Sequence, residues 1–535
     1  MTRAVAPRHR FLVLPRRGRP APRWTDWWRL AAAVLVVAAL VAGFAAAPVL
    51  GPRFACRDGW PSADRWESGG VCVGLSEGPY AFGLPGFEPV MRVIAEQNAS
   101  ADQCEPNGTP VTVGVLLTLT DPFAGSRARH ELEGVAAGQR RANGPGCLHP
   151  VRLLVGHVGQ YADPTAAVEV ARRLADRPEV VAVAGVGLSH QHTAEVADLL
   201  ARNRIPMVAD LVTAEGFDQS GSAADEPSFA GCDQDSTYPR GVGKDYYYRV
   251  AFRAAAQIAE LGKAVAAEPT FLMVPTGGSD PYTCTALPLM QKRFGNDLVE
   301  VKFDSDEPST VAQTAKRLCS VPGEVSVAYI ARGRDMGRFL NSLDSAFGDG
   351  QCAADSVTVL STSDSNRVRT AEDDPVLESL RLGGLSSDTF TGGRVRLLCT
   401  LVSGADGSGV DHPDFAEFER HFTDAGFDVA HVDDGWAVNA YDAVATVAAA
   451  LRTLPASRQV LRGQVNTAIS GFSTAQESVA GAGGPITFDN SGNRTGAPPA
   501  VVRICPIPAP RPGAQPQRVE TVAVRANEPV PNCPK

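Results

Sequence analysis

Short apolar runs alternate with amphipathic stretches along residues 111–362. The runs VTVGVLL, VRLLVGHV and VVAVAGV have no alternating polar face, which is the pattern of strands buried on both sides of a sheet. Between them, apolar residues recur at three- and four-residue spacing, as in TAAVEVARRLADR, which favours helices. Strands that alternate with helices in this way predict a parallel sheet with crossover helices.

The strand–helix alternation occurs twice. A Gly/Ser/Asp-rich stretch, 216–246, separates a first series over 111–210 from a second series over 270–362. We therefore predict an α/β protein of two doubly wound, parallel-sheet lobes. Beyond residue 380 the pattern predicts a strand over LRLGGLS, then helices, and then a hairpin over 484–504.

An arginine-rich segment precedes an uncharged apolar stretch near the N-terminus. Residues 1–29 hold eight arginines and one acidic residue, and residues 30–50 carry no charge. Helical residues rise about 1.5 Å each, so this stretch extends roughly 32 Å, enough to cross a bilayer core. Trp24, Trp27 and Trp28 lie where an aromatic belt forms. The pattern predicts a single transmembrane helix in the cell membrane, with a cytoplasmic N-terminus and an extracytoplasmic C-terminal domain.

Two other interpretations of this segment stay open. Ala45, Ala46 and Ala47 form a possible processing site, so the apolar stretch could be a cleaved signal peptide. A lipoprotein anchor at Cys56 is disfavoured, because Arg53 and Phe54 stand where a lipobox has small or aliphatic residues.

Charge and cysteine content exclude some function classes. The net charge of −9 argues against nucleic acid as a partner. The 11 cysteines fit disulfides in an oxidising compartment, and their odd number leaves at least one thiol outside an intramolecular pair. The cysteines and histidines do not have zinc-site spacing, so we expect no metal and no cofactor.

The turn GVGLSHQHT, residues 185–193, offers candidate chemistry where a buried strand becomes a helix. A nucleophile elbow reads G-x-S-x-G, but Gln191 replaces the second glycine after Ser189. A nucleotide-binding loop needs a third glycine that is absent. The plain alternative is an N-cap from Ser189 or Thr193. A helix N-terminus at the carboxyl end of a strand also suits a ligand carboxylate.

Several segments resemble the type 1 periplasmic-binding-protein family over residues 111–505. The branch is the leucine/isoleucine/valine-binding one, the substrate-binding proteins of branched-chain amino-acid ABC transporters. The segments that carry the resemblance are VTVGVLLTLTDPFAG, DPTAAVEVARRL, VVAVAGVGLSHQHT, IPMVADLVTAE, SDPYT, YIARGRDMGRFL and GPITFDNSGNRTG. The ligand-binding residues that the resemblance implies are Ser189, His190, Gln191, Thr193, Leu211, Thr213, Tyr282 and Asp335.

The resemblance implies a role for each end of a zwitterionic ligand. Ser189 and nearby backbone would hold an α-carboxylate, and Asp335 would hold an α-ammonium. Tyr282 would reach the ligand from the second lobe, although it could equally be a core residue. Arg332 and Arg334 flank Asp335, so a surface ion pair is the alternative for that acid.

Several of the implied ligand residues are larger than those of the family. The ligand loop of the family is small and serine-rich, whereas His190, Gln191 and His192 are bulky, and Leu211 stands where the family has alanine. These departures leave open that the amino-acid site is altered or lost.

The same family frame sets the domain organisation. Two lobes joined by three crossings would close on a ligand by hinge motion. The implied disulfide candidates are Cys56 with Cys72, Cys104 with Cys147, and Cys319 with Cys352. The predicted segments are a cytoplasmic tail (1–29), a transmembrane helix (30–50), a Cys-containing collar (51–110), the first lobe (111–247 and 384–480), the second lobe (248–383, with a closing hairpin at 481–505) and a Pro-rich tail (506–535).

Three functions follow from this reading. The first is a membrane-anchored extracytoplasmic solute-binding protein without enzymatic activity, which takes a small polar ligand for transport or sensing. An ABC permease or a membrane signalling protein is its expected partner. The second is a receptor-like interaction module whose pocket is vestigial. The third is a hydrolase that uses Ser189.

Overall fold

The fold is described from a computed structural model. It describes residues 24, 27–38, 56, 62–101, 109–145, 148–160, 163–221, 238, 240–265, 269–276, 280–295, 297–401, 413–456, 459–509 and 518–534. The chain divides into two compact units, residues 1–67 and 68–535.

Residues 27–38, in the first unit, are helical. Among the described residues, no helix has the length and apolar character that a membrane crossing requires. The predicted span continues through residues 39–50, which lie outside the described part of the chain.

The strands and helices follow the predicted alternation. The strands are β1 (Arg65–Ser68), β2 (Val71–Ser76), β3 (Val111–Leu117), β4 (Val151–His157), β5 (Val180–Ala184), β6 (Met207–Ala209), β7 (Tyr247–Arg249), β8 (Phe271–Pro275), β9 (Val299–Phe303), β10 (Gly323–Tyr329), β11 (Ala354–Ser361), β12 (Val395–Thr400), β13 (Thr487–Phe488), β14 (Arg494–Thr495), β15 (Val501–Ile504) and β16 (Thr521–Ala523). The α-helices are α1 (Glu88–Ser100), α2 (Arg127–Ala142), α3 (Pro164–Ala175), α4 (Gln191–Arg202), α5 (Ala254–Ala264), α6 (Pro281–Phe294), α7 (Pro308–Cys319), α8 (Met336–Gly348), α9 (Pro375–Leu385), α10 (Asp388–Thr391), α11 (Pro413–Asp424), α12 (Trp436–Arg452) and α13 (Arg462–Ser470).

Two predominantly parallel sheets form the cores of two lobes within residues 68–535. The first sheet has the strand order β2-β4-β3-β5-β6-β7, in which β3 pairs in parallel with β4 and β5. The second has the order β16-β15-β12-β11-β10-β8-β9, with β8 to β12 parallel and β15 antiparallel to β12. The predicted class of two α/β lobes is confirmed.

Two lobe boundaries differ from the prediction. β12 pairs with β11, so its residues, predicted in the first lobe, belong to the second sheet. The predicted closing hairpin is divided: β13 and β14 pair with each other and Phe488 packs in the first core, whereas β15 joins the second sheet. The apolar pattern identifies strands, but it does not say which sheet edge accepts each one.

The predicted strand LRLGGLS belongs to helix α9 instead. Glycine disfavours a helix interior, but Gly384 faces α8, where a Cβ would come within 2.9 Å of the Leu340 Cβ. Close contact between α8 and α9 therefore explains why a glycine occurs inside this helix.

Two helices of the first lobe pack at very short range through glycine. A Cβ on Gly134 of α2 would lie 2.1 Å from the carbonyl oxygen of Ala437 on α12. A Cβ on Gly138, one turn later, would lie 2.8 Å from the Val444 Cβ. The two helices can approach this closely only because both positions lack a side chain.

Disulfides link distant segments of the second lobe. Cys319 and Cys352 are bonded, as predicted, and Cys505 is bonded to Cys533 near the C-terminus. Cys56, Cys72 and Cys284 are also disulfide-bonded. The predicted partners Cys104 and Cys147 lie outside the described residues. Among the described cysteines, Cys399 is a free thiol and is buried.

His157 is the last residue of strand β4, and its imidazole is buried. Its Nδ1 accepts the backbone N–H groups of Leu119, at 3.2 Å, and Gly159, at 3.3 Å. Nε2 lies 3.4 Å from the Thr120 hydroxyl. Burial lowers the pKa of His157 to about 4, so the ring is neutral at pH 7 and can accept these hydrogen bonds.

We predict that Gly134→Ala lowers the free energy of unfolding by about 1–3 kcal/mol, because the new methyl group must push α12 away. The matched control is Gly463→Ala, at an exposed helical position where a Cβ meets nothing within 4 Å. It should be neutral or stabilising by up to about 1 kcal/mol. Urea denaturation of both variants measures the difference, and equal effects would contradict the close helix contact.

The neutral His157 also predicts a loss of stability at acidic pH. The unfolded imidazole titrates near its ordinary pKa of about 6.5 and the folded one near 4, so stability should fall as the pH decreases between these values. This histidine contributes a slope of up to about 1.4 kcal/mol per pH unit. His157→Asn, which keeps an acceptor without a titrating ring, should flatten the profile measured by denaturation at several pH values. Thr120→Val should retain the slope; a wild-type slope in His157→Asn would be the contrary result.

Candidate functional site

The turn after β5 places a buried serine ahead of helix α4. Gly185 and Gly187 each have a φ of 88°, a left-handed conformation that glycine adopts without steric cost. The chain therefore reverses sharply at the carboxyl end of the strand, and Ser189 is 0% exposed. Ligands of open α/β sheets bind at such strand ends.

The Ser189 hydroxyl joins two loops of the first lobe. Its oxygen accepts the backbone N–H groups of Thr213, at 3.0 Å, and Ala214, at 3.1 Å. A serine hydroxyl has two acceptor positions, and these two bonds use both of them. The lone pairs that a nucleophile needs are thus engaged, which gives the hydrolase alternative no support.

His190 is the N-cap of α4, in place of the predicted Ser189 or Thr193. Its Nδ1 accepts the backbone N–H of His192 at 3.4 Å. Burial, with further contributions from the neighbouring His192 and Arg332, lowers the pKa of His190 to about 4. The imidazole is therefore neutral at pH 7, the state in which a nitrogen can accept a hydrogen bond.

The other predicted residues of the first lobe divide into exposed and structural positions. Gln191 is exposed on the first turn of α4. The Thr193 hydroxyl donates to the carbonyl of Leu188 at 2.7 Å. Leu211 packs in an apolar cluster with Leu188, and Thr213 contributes its backbone N–H to the serine hydroxyl.

Helix α6 carries the predicted tyrosine of the second lobe. Asp280 caps this helix and accepts from the Tyr282 backbone N–H, at 3.4 Å, and from the Thr283 hydroxyl, at 2.9 Å. Tyr282 is 0% exposed, its hydroxyl is hydrogen-bonded to that of Thr362, and burial raises its pKa. Tyr282 thus has the buried, satisfied character of a core residue.

Arg332 of the second lobe links these groups across the cleft. Its Nε and Nη2 donate to the two carboxylate oxygens of Asp280, at 3.1 and 2.8 Å. Nη2 also donates to the carbonyl oxygen of Ser189 at 2.8 Å. The guanidinium carbon lies 4.8 Å from the centre of the Tyr282 ring, and Nη1 lies 3.5 Å from Asp364. The structure thus brings Ser189 and Tyr282 together around an arginine.

The acid predicted for the site, Asp335, is buried. Asp335 is 2% exposed and contacts Arg338 at 3.6 Å within the second lobe. Burial raises the pKa of Asp335. Arg332, which the sequence offered as its surface ion-pair partner, pairs with Asp280 instead. The sequence did contain a signal for Arg332. This residue follows β10, so it stands at the carboxyl end of a strand, where ligands of open α/β sheets bind.

A second group of contacts closes the cleft beside the start of α2. Gly125 has a φ of 57°, and a Cβ there would lie 2.5 Å from Nη2 of Arg367. Arg367 Nη1 donates to the carbonyl of Phe123 at 2.9 Å, and the Ser126 hydroxyl donates to the carbonyl of Ala371 at 2.8 Å. Each lobe therefore donates a side-chain hydrogen bond to a backbone carbonyl of the other lobe.

Charged residues ahead of α12 extend this contact. Asp434 accepts from His130 Nδ1, at 2.7 Å, and from the Thr370 hydroxyl of the second lobe, at 3.0 Å. The neighbouring Asp433 binds Arg518 through both carboxylate oxygens, with one distance of 2.9 Å. The segment before β16 is therefore held against the first lobe.

Two buried acids lie behind the serine turn. Asp210 is 0% exposed and Glu131 is 3% exposed. Burial is the main cause that raises the pKa of both carboxyls. A Cβ on Gly185 would lie 3.3 Å from the Asp210 carboxylate, so the glycine also leaves room for this acid.

A cavity of about 1040 Å³ lies at the opposite end of the first sheet. It is lined near the end of α3, the start of β5 and the start of α13, including Asp176, Val181 and Leu461. Arg462, which also lines the cavity, donates to the carbonyls of Val180, at 2.9 Å, and of Ala175, Arg177 and Asn203. This cavity is separate from the cleft at Ser189, because it lies at the amino ends of the strands.

Comparison with known proteins identifies the fold. No protein-family model matches the chain, and no curated protein matches its sequence. A solute-binding protein of an R. palustris ABC transporter, solved with 4-hydroxybenzoate, matches with a TM-score of 0.54 and 16% identity over 78% of this chain and 96% of that one. The Streptococcus pneumoniae branched-chain amino acid transporter substrate-binding protein LivJ, solved with isoleucine, matches with a TM-score of 0.53 and 13% identity over 77% and 99%.

A third solved structure gives the same result. A possible leucine/isoleucine/valine-binding protein from Rhodopirellula baltica matches with a TM-score of 0.54 and 12% identity, covering 79% of this chain and 98% of that one. At these identities the likeness establishes the fold. The chain therefore has the two-lobed fold of the type 1 periplasmic-binding proteins and is similar in structure to substrate-binding proteins of the branched-chain amino-acid ABC transporter type, as its sequence predicted.

Proposed function

We propose that the chain is an extracytoplasmic solute-binding protein that captures a small polar ligand between its two lobes by hinge closure. The supporting observation is the cleft itself. The carboxyl ends of β5 and β10 face each other there, and Arg332 of one lobe hydrogen-bonds to Ser189 of the other. Clefts between two lobes are common ligand sites, and closure around a ligand is a known hinge motion.

The similar structures support a small organic ligand. Two of them were solved with isoleucine and with 4-hydroxybenzoate, which share a carboxylate and little else. This range agrees with a fold that keeps one anchoring chemistry and varies the remaining contacts. For this chain a small organic acid is therefore the proposed ligand class.

Membrane attachment and partner are further parts of the proposal. The arginine excess of residues 1–29 and the apolar stretch 30–50 support a signal anchor with the two lobes outside the cell. A tethered binding protein suits local capture or sensing, with an ABC permease or a membrane signalling protein as its partner. The similar structures belong to ABC transporters, which supports the permease.

One observation favours a second candidate, a receptor-like interaction module. Ser189, Tyr282 and Asp280 are already hydrogen-bonded to groups of the chain itself. A vestigial pocket would have this self-satisfied character, since buried polar groups without a ligand need partners. Ligand binding by the purified protein decides between the two candidates.

We predict that small carboxylic acids raise the melting temperature of the purified extracytoplasmic region. A ligand that binds only the folded state stabilises it by RT ln(1 + [L]/Kd), about 2.7 kcal/mol at a hundredfold excess over Kd. Differential scanning fluorimetry against a panel of carboxylic acids, amino acids and amides measures the shift. The absence of any shift, together with capture of a protein partner, would favour the interaction module.

We further predict that Gly125→Ala weakens ligand stabilisation, because its methyl group meets Arg367 and opposes closure. The control is Gly426→Ala, which has a φ of 84° and where a Cβ meets nothing within 4 Å. Both substitutions carry the strain of a left-handed conformation, about 1–2 kcal/mol. The ligand-induced shift in melting temperature should be reduced only in Gly125→Ala, and an equal reduction in both variants would argue against closure at this point.

A further inference from the structure

The guanidinium of Arg332 occupies the cleft as a cation would. It is held by the carboxylate of Asp280, by the face of the Tyr282 ring and by the carbonyl oxygen of Ser189. A carboxylate, an aromatic face and a carbonyl are the groups that bind an ammonium ion in proteins. The three groups that could bind the amino group of a ligand are therefore bound to the chain's own cation.

The backbone fixes this arginine in position. A Cβ on the following residue, Gly333, would lie 2.0 Å from the carbonyl oxygen of Asp364. Glycine therefore lets the turn after β10 approach the turn after β11. The approach also places the Asp364 carboxylate 3.5 Å from Arg332 Nη1. The Arg332 side chain is 10% exposed.

The acids around Arg332 have no spare charge for a second cation. Asp280 is engaged through both oxygens. Asp364 is shared between Arg332 and Arg127, whose guanidinium lies 3.6 Å from the same carboxylate. Asp280 and Asp364 keep Arg332 charged, since they raise its pKa although burial opposes the charge. An ammonium group in this position would face a fixed positive charge in a region of low dielectric.

The same arrangement leaves Arg332 a donor for an anion. Nε and Nη2 make hydrogen bonds of ordinary length, between 2.8 and 3.1 Å, whereas the contact from Nη1 to Asp364, at 3.5 Å, is at the outer limit of a hydrogen bond. Arginine has five N–H donors in a planar fork that suits carboxylates.

We propose that Arg332 fills the cation subsite of the cleft, so that the site selects carboxylic acids without an amino group and rejects α-amino acids. This inference rests on the proposed function, because it names the ligand class of that site. The guanidinium takes the place of a ligand ammonium, and the carboxylate of the ligand is the group left to be bound.

The first test compares solutes that differ only in the amino group. Suitable pairs are leucine with 4-methylpentanoate and phenylalanine with 3-phenylpropanoate, each measured by calorimetry on the purified full-length protein. We expect the wild-type protein to bind the acid of a pair at least tenfold more tightly than the amino acid. Arg332→Ala should lose this preference. Arg334→Ala, whose partner Asp306 is 91% exposed, should keep it. Amino acids that bind the wild-type protein as tightly as their partners would overturn the proposal.

The second test needs no solute. Truncation in Arg332→Ala leaves a space between Asp280 and Tyr282 that fits a free guanidinium group. We therefore expect millimolar methylguanidinium chloride to raise the melting temperature of Arg332→Ala but not of the wild-type protein, with sodium chloride as the ionic control. A folded Arg332→Ala variant that does not respond would overturn the cation subsite. If the subsite responds but no solute binds, the proposed solute capture fails and the subsite remains.

A third variant covers the case in which Arg332→Ala does not fold. Arg332→Lys keeps the positive charge, so it should still bind the acid of each pair more tightly than the amino acid. Equal binding of both members by a folded Arg332→Lys would contradict an exclusion based on charge.

Discussion

A charge enclosed between two lobes has to be paired, and this constraint governs the cleft. Arg332 satisfies it through Asp280 on its own lobe and a carbonyl on the other. An unpaired buried ion costs far more than a hydrogen bond contributes, so the partners of Arg332 cannot be altered one at a time. The cap of α6, the turn after β10 and the serine turn of the first lobe are consequently parts of one electrostatic unit.

The cores of the two lobes depend on a simpler constraint, which is close packing. Gly134 and Gly138 allow α12 to lie against α2, and α12 begins directly after the acids that contact the second lobe. The position of Asp433 and Asp434 in the cleft is therefore set by helix packing deep in the first core. Packing inside one lobe thus determines which charges that lobe presents to the other.

The sequence predicted the lobes well because a buried parallel strand has an unmistakable pattern. Runs such as VVAVAGV carry this pattern locally, and the turn at Ser189 follows from the two glycines before it. The sequence pattern could not assign β12 or the strands of the divided hairpin to a sheet, because sheet membership depends on pairing with residues far away in the chain. The role of Arg332 was missed for the same reason: its partner Asp280 is 52 residues away, whereas Asp335 follows it by only three residues. The residues next to Leu211 and Asp335 in the sequence did not indicate that these two side chains would be buried inside their own lobes.

The C-terminal segment has a mechanical consequence. Arg518 is hydrogen-bonded to Asp433 of the first lobe, and only two residues separate it from β16. Strand β16 pairs with β15 and so belongs to the second sheet. An extended chain spans about 3.3 Å per residue, so the segment from Arg518 to the start of β16 is at most roughly 10 Å long. If the two lobes separate by more than this length at this edge, the hydrogen bonds between Arg518 and Asp433 have to break. Wide opening at this edge would therefore have to break this ion pair in addition to the contacts of Arg332 and Arg367.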